Sequence, residues 1–95
     1  MVSEGVQQQR EIFYSGRVQG VGFRYTVRSL AGKFAVTGFV RNLPDGRVQL
    51  VVEGELREIE ALLDDIRQEM SYYILDVHET TRPASGQFPA FEIRF

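Results

Sequence analysis

Leu56, Ile59, Leu63, Ile66 and Met70 recur at spacings of three, four, three and four, with Leu62 beside them. That period places all of them on one side of a helix. The segment 55–70 is rich in Glu, Leu and Arg and holds no Pro or Gly, so helix propensity agrees. A second stripe, Phe23, Val27, Leu30 and Phe34 at spacings of four, three and four, predicts another helix. Two one-sided helices must bury their stripes against something.

The intervening segments supply it. "REIFYSG" predicts a first strand carrying Ile12, Phe13 and Tyr14, and "TGFVRNL" a second. Pro44, Asp45 and Gly46 form a tight turn into "RVQLVVEG", its antiparallel hairpin partner. "YYILDVHETTR" reads as another strand, entered at Tyr72 and Tyr73. "FPAFEIRF" is a short last strand in which Phe91, Ile93 and Phe95 alternate toward one face. The order is βαββαβ with a short additional C-terminal strand, an α+β sandwich with two helices on one face of a mostly antiparallel sheet. A right-handed crossover through the first helix makes the first two strands run the same way. Arg24 and Asn42 then lie on one edge.

Ninety-five residues make one domain. The expected division is a polar N-terminal lead-in over residues 1–9, without a core role, and a single domain over 10–95. With 43% hydrophobic and 25% charged residues the chain is not disordered, and a net charge of −2 offers no general attraction to nucleic acid or anionic membrane. There is no cysteine and His78 is the lone histidine, which excludes a thiolate nucleophile and cysteine or histidine-cluster metal sites. "MVSEGVQQQR" lacks the apolar run of a secretory leader and no stretch approaches a membrane span, so the expected location is cytoplasmic.

"GRVQGVGFR", residues 16–24, joins the first strand to the first helix. Gly16, Gly20 and Gly22 permit close backbone approach, and such a loop at a helix N-terminus can turn several N–H groups onto an anion. A purely structural turn is the alternative reading. The loop is not a dinucleotide fingerprint, because Tyr25 stands where a third glycine would be, nor a nucleoside-triphosphate loop, because no Gly-Lys-Ser or Gly-Lys-Thr ends it. Arg24 follows Phe23, the first anchor of the helical stripe. It can therefore lean over the loop and offer a bidentate contact to phosphate, or sit in a surface salt bridge. Arg17 lies in the same loop, and Arg28 borders it one turn on. Asn42 is either a turn initiator or an amide able to bond phosphate oxygen and water. Tyr14 and Tyr25 flank the loop and either line the site or complete the core.

"GRVQGVGFR" at 16–24 and "GFVRNLPDGRVQLVVEG" at 38–54 resemble the two signature stretches of the acylphosphatase family, in the family's order and at a compatible separation. The resemblance covers residues 10–95 and implies a ferredoxin-like sandwich. It implies that Arg24 binds the substrate phosphate and Asn42 positions the hydrolytic water. Arg17, Val18, Gln19, Gly20, Val21 and Gly22 would form the backbone phosphate-binding loop. One departure stands at Phe34 and Ala35, where the family commonly has Leu-Gly; alanine would make a left-handed exit from the first helix costly.

The activity so implied is hydrolysis of the carboxyl–phosphate bond of a small acyl phosphate, by a monomer with no cofactor, no metal, no nucleic acid and no membrane partner. Asp45 has a sufficient role in its turn, and His78 is read as structural. A substrate phosphate oxygen is therefore the expected acceptor of the water's proton. The competing classes are an RNA-binding module, which would need sheet aromatics in a matching strand pattern, and a sensor that binds without turnover.

Overall fold

The computed structural model describes residues 6–95. Its elements are β1 (Gln7–Gly16), α1 (Phe23–Ala31), β2 (Val36–Asn42), β3 (Val48–Glu55), α2 (Leu56–Met70), β4 (Ile74–Pro83) and β5 (Phe91–Arg94). They build one five-stranded sheet in the order β4-β1-β3-β2-β5. β3 runs antiparallel to both β1 and β2, so β1 and β2 point the same way on either side of it. β5 joins β2 in parallel. The fold is the α+β, ferredoxin-like sandwich with an added strand.

Alternation along the central strands decides where the core lies. Ile12 and Tyr14 of β1, Val40 of β2, and Val48, Leu50 and Val52 of β3 turn to one face. There they meet Phe23, Val27 and Ala31 of α1 and Ile59, Leu62, Leu63, Ile66 and Met70 of α2. Burying one such aliphatic side chain contributes about 1.5–3 kcal/mol. The whole stripe of α2 beyond Leu56 is thus accounted for, Leu56 itself being exposed.

Three expectations are corrected. α1 ends at Ala31, and Phe34 lies beyond it, half-buried against the core. The chain closes the helix by tighter bonds, Lys33 N–H to Leu30 O at 3.0 Å and Phe34 N–H to Ala31 O at 3.1 Å, which bring Phe34 back to the core without another α-turn. Gly32 keeps a right-handed φ of −64°, and no described non-glycine residue has a positive φ. Ala35 therefore bears no left-handed strain, and its N–H donates to Glu58 Oε1 at 2.8 Å.

The second correction concerns where the first strand starts, expected at Arg10. β1 begins at Gln7, and Gln7–Gln9 pair with Glu55–Glu53 of β3; residues 1–5 lie outside the described residues. Gln9 Nε2 donates to Glu53 Oε2 at 2.7 Å, so polar side chains extend the strand here. Third, Phe95 does not continue the alternation of Phe91 and Ile93. It lies past β5 and is 91% exposed.

The face of the sheet away from the helices is crossed by residues 84–90. Ser85 N–H and Oγ donate to Glu53 Oε2, both at 2.7 Å, and Gly86 N–H donates to Oε1 at 3.0 Å. Phe88 packs on Phe39 with ring centroids 5.8 Å apart. That strap leads directly into β5.

Candidate active site

The register brings the two signature stretches to one edge. Tyr14, near the end of β1, and Asn42, the last residue of β2, both stand opposite Val48, the first residue of β3. The loop after β1 and the hairpin turn after β2 thus leave the sheet side by side.

Gly16 takes φ 125°, and a Cβ there would overlap the Tyr73 carbonyl oxygen. That same carbonyl accepts the Arg17 N–H at 2.9 Å, which fixes the loop's entry beside the start of β4. At its exit Gly22, the N-cap of α1, takes φ 78°, a left-handed conformation that favours glycine. Val18 is fully buried in the core, and Val21 packs against it. The side chains of these two residues hold the loop down.

What remains is backbone. Arg17 N–H is bonded to Tyr73 and Thr26 N–H to Gly22 O at 3.0 Å. Between them the N–H groups of residues 18–25 take no backbone or side-chain acceptor among the described residues. Part of this run is the open first turn of α1, which has neither a capping side chain nor an acidic residue. Unpaired N–H groups and the positive end of a helix dipole are groups of the kind that can bind an anion.

Arg24 is half-buried beside it. Its Nη1 donates to the Arg94 carbonyl at 3.3 Å, and its guanidinium lies 4.8 Å from the centre of the Phe95 ring. Arg94 is paired in register with Arg41, the neighbour of Asn42. The end of β5 therefore holds Arg24 next to the end of β2. Since guanidinium has five N–H donors, the single bond to Arg94 leaves a fork free for an oxyanion.

Asn42 is half-buried, and its Oδ1 is fully shielded from solvent with no protein partner among the described residues. A buried unpaired acceptor is costly, and Gln8 Oε1 shares that condition on β1. The Leu43–Arg47 turn beyond it is closed by Leu43 N–H to Arg47 O at 2.8 Å and Gly46 N–H to Leu43 O at 3.1 Å.

Other expected residues separate cleanly. Arg17 and Arg28 are exposed side chains, with no ion pair among the described residues. Tyr25 is 58% exposed in the first turn of α1. Tyr14 is core: its ring packs 5.1 Å from Phe23, and burial pushes its phenol pKa upward. It also lines a groove of about 480 Å³ between α2 and β4, with Arg10, Leu63, Arg67, Val77 and Glu79, and no residue of 17–24 nor Asn42 lines that groove. Asp45 Oδ1 accepts the Arg47 N–H at 3.1 Å and Oδ2 the Arg47 Nε at 2.9 Å, bonds that lower its pKa and occupy it within the turn. His78 is exposed on β4, opposite Phe13. Among the described residues no three His, Cys, Asp or Glu side chains are grouped to hold a metal ion.

The acylphosphatase family model matches residues 10–93. The chain belongs to the acylphosphatase family. An acylphosphatase of Syntrophus aciditrophicus is 46% identical over 87 residues, covering 88% of each chain, and one of Acaryochloris marina is 40% identical over 79 residues, covering 83% of this chain and 85% of its own. The crystal structure of acylphosphatase from Bacillus subtilis superposes with a TM-score of 0.85 at 31% identity, over 93% of this chain and 99% of the other. Membership in the family makes the chain an acylphosphatase enzyme, with hydrolysis of acyl phosphates as its activity.

Proposed function

We propose that the chain hydrolyses small acyl phosphates by attack of water at phosphorus, with residues 17–22 as the phosphate-binding loop and Arg24 and Asn42 as the catalytic pair. The reading is carried by one observation: the run of unpaired N–H groups over residues 18–25 contains Arg24 and abuts the strand end that bears Asn42.

The loop amides and the free fork of Arg24 take the non-bridging phosphate oxygens, leaving the acyl group directed outward. Asn42, at the end of β2 beside the loop, orients the water through its side-chain amide, in line with the bond to be broken. The water oxygen forms a bond to phosphorus while the bond from phosphorus to the acyl oxygen breaks, its electron pair leaving with the carboxylate. The water's proton passes to a non-bridging oxygen of the substrate phosphate. Charge that builds on the equatorial oxygens meets donors already in place, which is where electrostatic catalysis gains most.

No protein base enters this scheme. Asp45 is occupied by Arg47 within its turn, His78 is exposed on β4 opposite Phe13, and a carboxylate is a good enough leaving group to need no acid. The reading includes a single domain acting as a monomer on a free small molecule, since every group it uses belongs to one chain.

The test follows inorganic phosphate release from a synthetic aromatic acyl phosphate, under metal-chelating conditions, by folded wild type, Arg24→Ala and Asn42→Ala. Wild-type turnover with a loss of about 100-fold or more in each variant is expected, the order seen when a single transition-state donor is removed. Saturable binding without phosphate release by wild type would refute hydrolysis and leave a sensor.

A further inference from the structure

One loop side chain is tied to the hairpin turn after β2. Gln19 Nε2 donates to the Leu43 carbonyl at 2.8 Å and to the Arg47 carbonyl at 3.0 Å. Carbonyl oxygens only accept, so the nitrogen end of the amide must face them. Both acceptors already serve the hairpin turn, Leu43 O receiving Gly46 N–H and Arg47 O receiving Leu43 N–H. Each carbonyl has two lone pairs, and the Gln19 amide fills the second on both. The turn's two carbonyls are thereby saturated by one side chain from the loop.

The location gives this its consequence. Leu43 directly follows Asn42, and Gln19 lies between Val18, buried in the core, and Gly20, in the run of free N–H groups. The clamp therefore ties the middle of the loop to the residue next to Asn42 across 24 positions of sequence. Arg24 is held separately, by the Arg94 carbonyl. Losing the clamp would leave the loop amides and Arg24 in place to bind phosphate, but it would free the loop to shift against Asn42.

Resting on the hydrolytic reading above, we infer that Gln19 is a positioning residue: it sets the separation between the bound phosphorus and the water held by Asn42. It contributes to the reaction through Asn42, and little to phosphate affinity.

A kinetic cycle on the full chain decides the matter, with wild type, Gln19→Met, Asn42→Ala and the double variant. Methionine matches the length of glutamine and has no donor. Misplacement of reacting groups costs on the order of 10- to 100-fold, so kcat of Gln19→Met is expected to fall by about that much. Its inhibition constant for inorganic phosphate, a probe of loop and Arg24, stays within about twofold. In the Asn42→Ala background the same substitution costs less than about twofold in residual turnover, because the residue it acts through is gone. In wild-type protein the Gln19 side-chain amide protons should exchange with solvent well below the rate of those of exposed Gln68, a reading that does not depend on any variant folding.

An equal loss in both backgrounds, or a weakening of phosphate inhibition as large as the fall in kcat, would overturn the inference. So would Gln19 amide exchange as fast as that of Gln68. These results with wild-type turnover intact strike the role of Gln19 alone, whereas absence of wild-type turnover strikes the hydrolytic reading and this one with it.

Discussion

Glu53→Gln keeps the shape of a buried side chain and removes its charge, and four donors report the difference. Glu53 is 4% exposed. Its Oε2 accepts from Gln9 Nε2, Ser85 N–H and Ser85 Oγ, each at 2.7 Å, and its Oε1 accepts Gly86 N–H at 3.0 Å. In the variant the amide oxygen best replaces Oε2, which turns the new NH2 toward the Gly86 N–H, donor against donor. A hydrogen bond to a charged acceptor contributes about 1.5–3 kcal/mol, so the variant should be about 2–3 kcal/mol less stable near neutrality. For a domain of this size that is a fall of roughly 10–20 °C in Tm.

The pH dependence sharpens the test. Burial raises the Glu53 pKa, but the bonds from Ser85, Gln9 and Gly86 outweigh it and hold the carboxyl below its ordinary value of 4.5. A carboxyl with a depressed native pKa adds stability that is full above the unfolded value and is lost as pH falls through the native one. Wild type and variant should therefore converge in acid. Urea unfolding of both proteins, near neutrality and below the native pKa, measures the gap. A gap that stays constant between the two conditions, or one under about 0.5 kcal/mol at neutrality, would refute this account of Glu53.

Gly22→Ala places a Cβ in open space but at φ 78°, so about 1 kcal/mol of stability and a measurable part of the phosphate affinity should be lost, read by thermal melting and phosphate inhibition. Ile66→Ala, at a fully buried position of α2, should cost about 2–5 kcal/mol in urea unfolding while turnover per folded molecule is kept. His78→Ala should leave kcat within about twofold, whereas loss of a general base costs about 100-fold or more. Tyr14→Phe removes the hydroxyl of a core residue that lines the groove beside α2 and should likewise leave KM and kcat unchanged in the acyl phosphate assay.

Periodicity carried the fold because both helices are one-sided and the strands between them alternate. The 56–70 stripe became core from Ile59 to Met70, and the Pro44-Asp45-Gly46 turn closed the expected hairpin. Two of the three misses depended on a partner distant in sequence, and the third on a local tightening of the helix end. Gln7–Gln9 extend β1 because β3 supplies a ladder and Glu53 an acceptor, and nothing local to three glutamines signals a strand. Phe34 follows the helical spacing, yet the turn after Ala31 tightens, so its place was set by the core and not by the period. Phe95 fits the strand alternation but stands beside Arg24, which belongs to another element.

The same division holds at the site. Glycines, Arg24 and Asn42 stood out in the sequence by residue type and position, and their expected roles came from the resemblance to the two acylphosphatase signatures. The clamp from Gln19, the hold of β5 on Arg24 and the strap fastened at Glu53 were not, since each is a side-chain or carbonyl contact that only the folded sheet creates. Together they connect the sheet to the edge where the loop, Arg24 and Asn42 lie.

Hydrolysis in ¹⁸O-labelled water tests the central claim most directly. A water positioned by Asn42 and attacking the phosphorus held by residues 17–24 must place the label in inorganic phosphate and none in the released carboxylate. Label in the carboxylate would mean attack at the acyl carbon, and it would contradict the arrangement of loop, Arg24 and Asn42 argued from the structure.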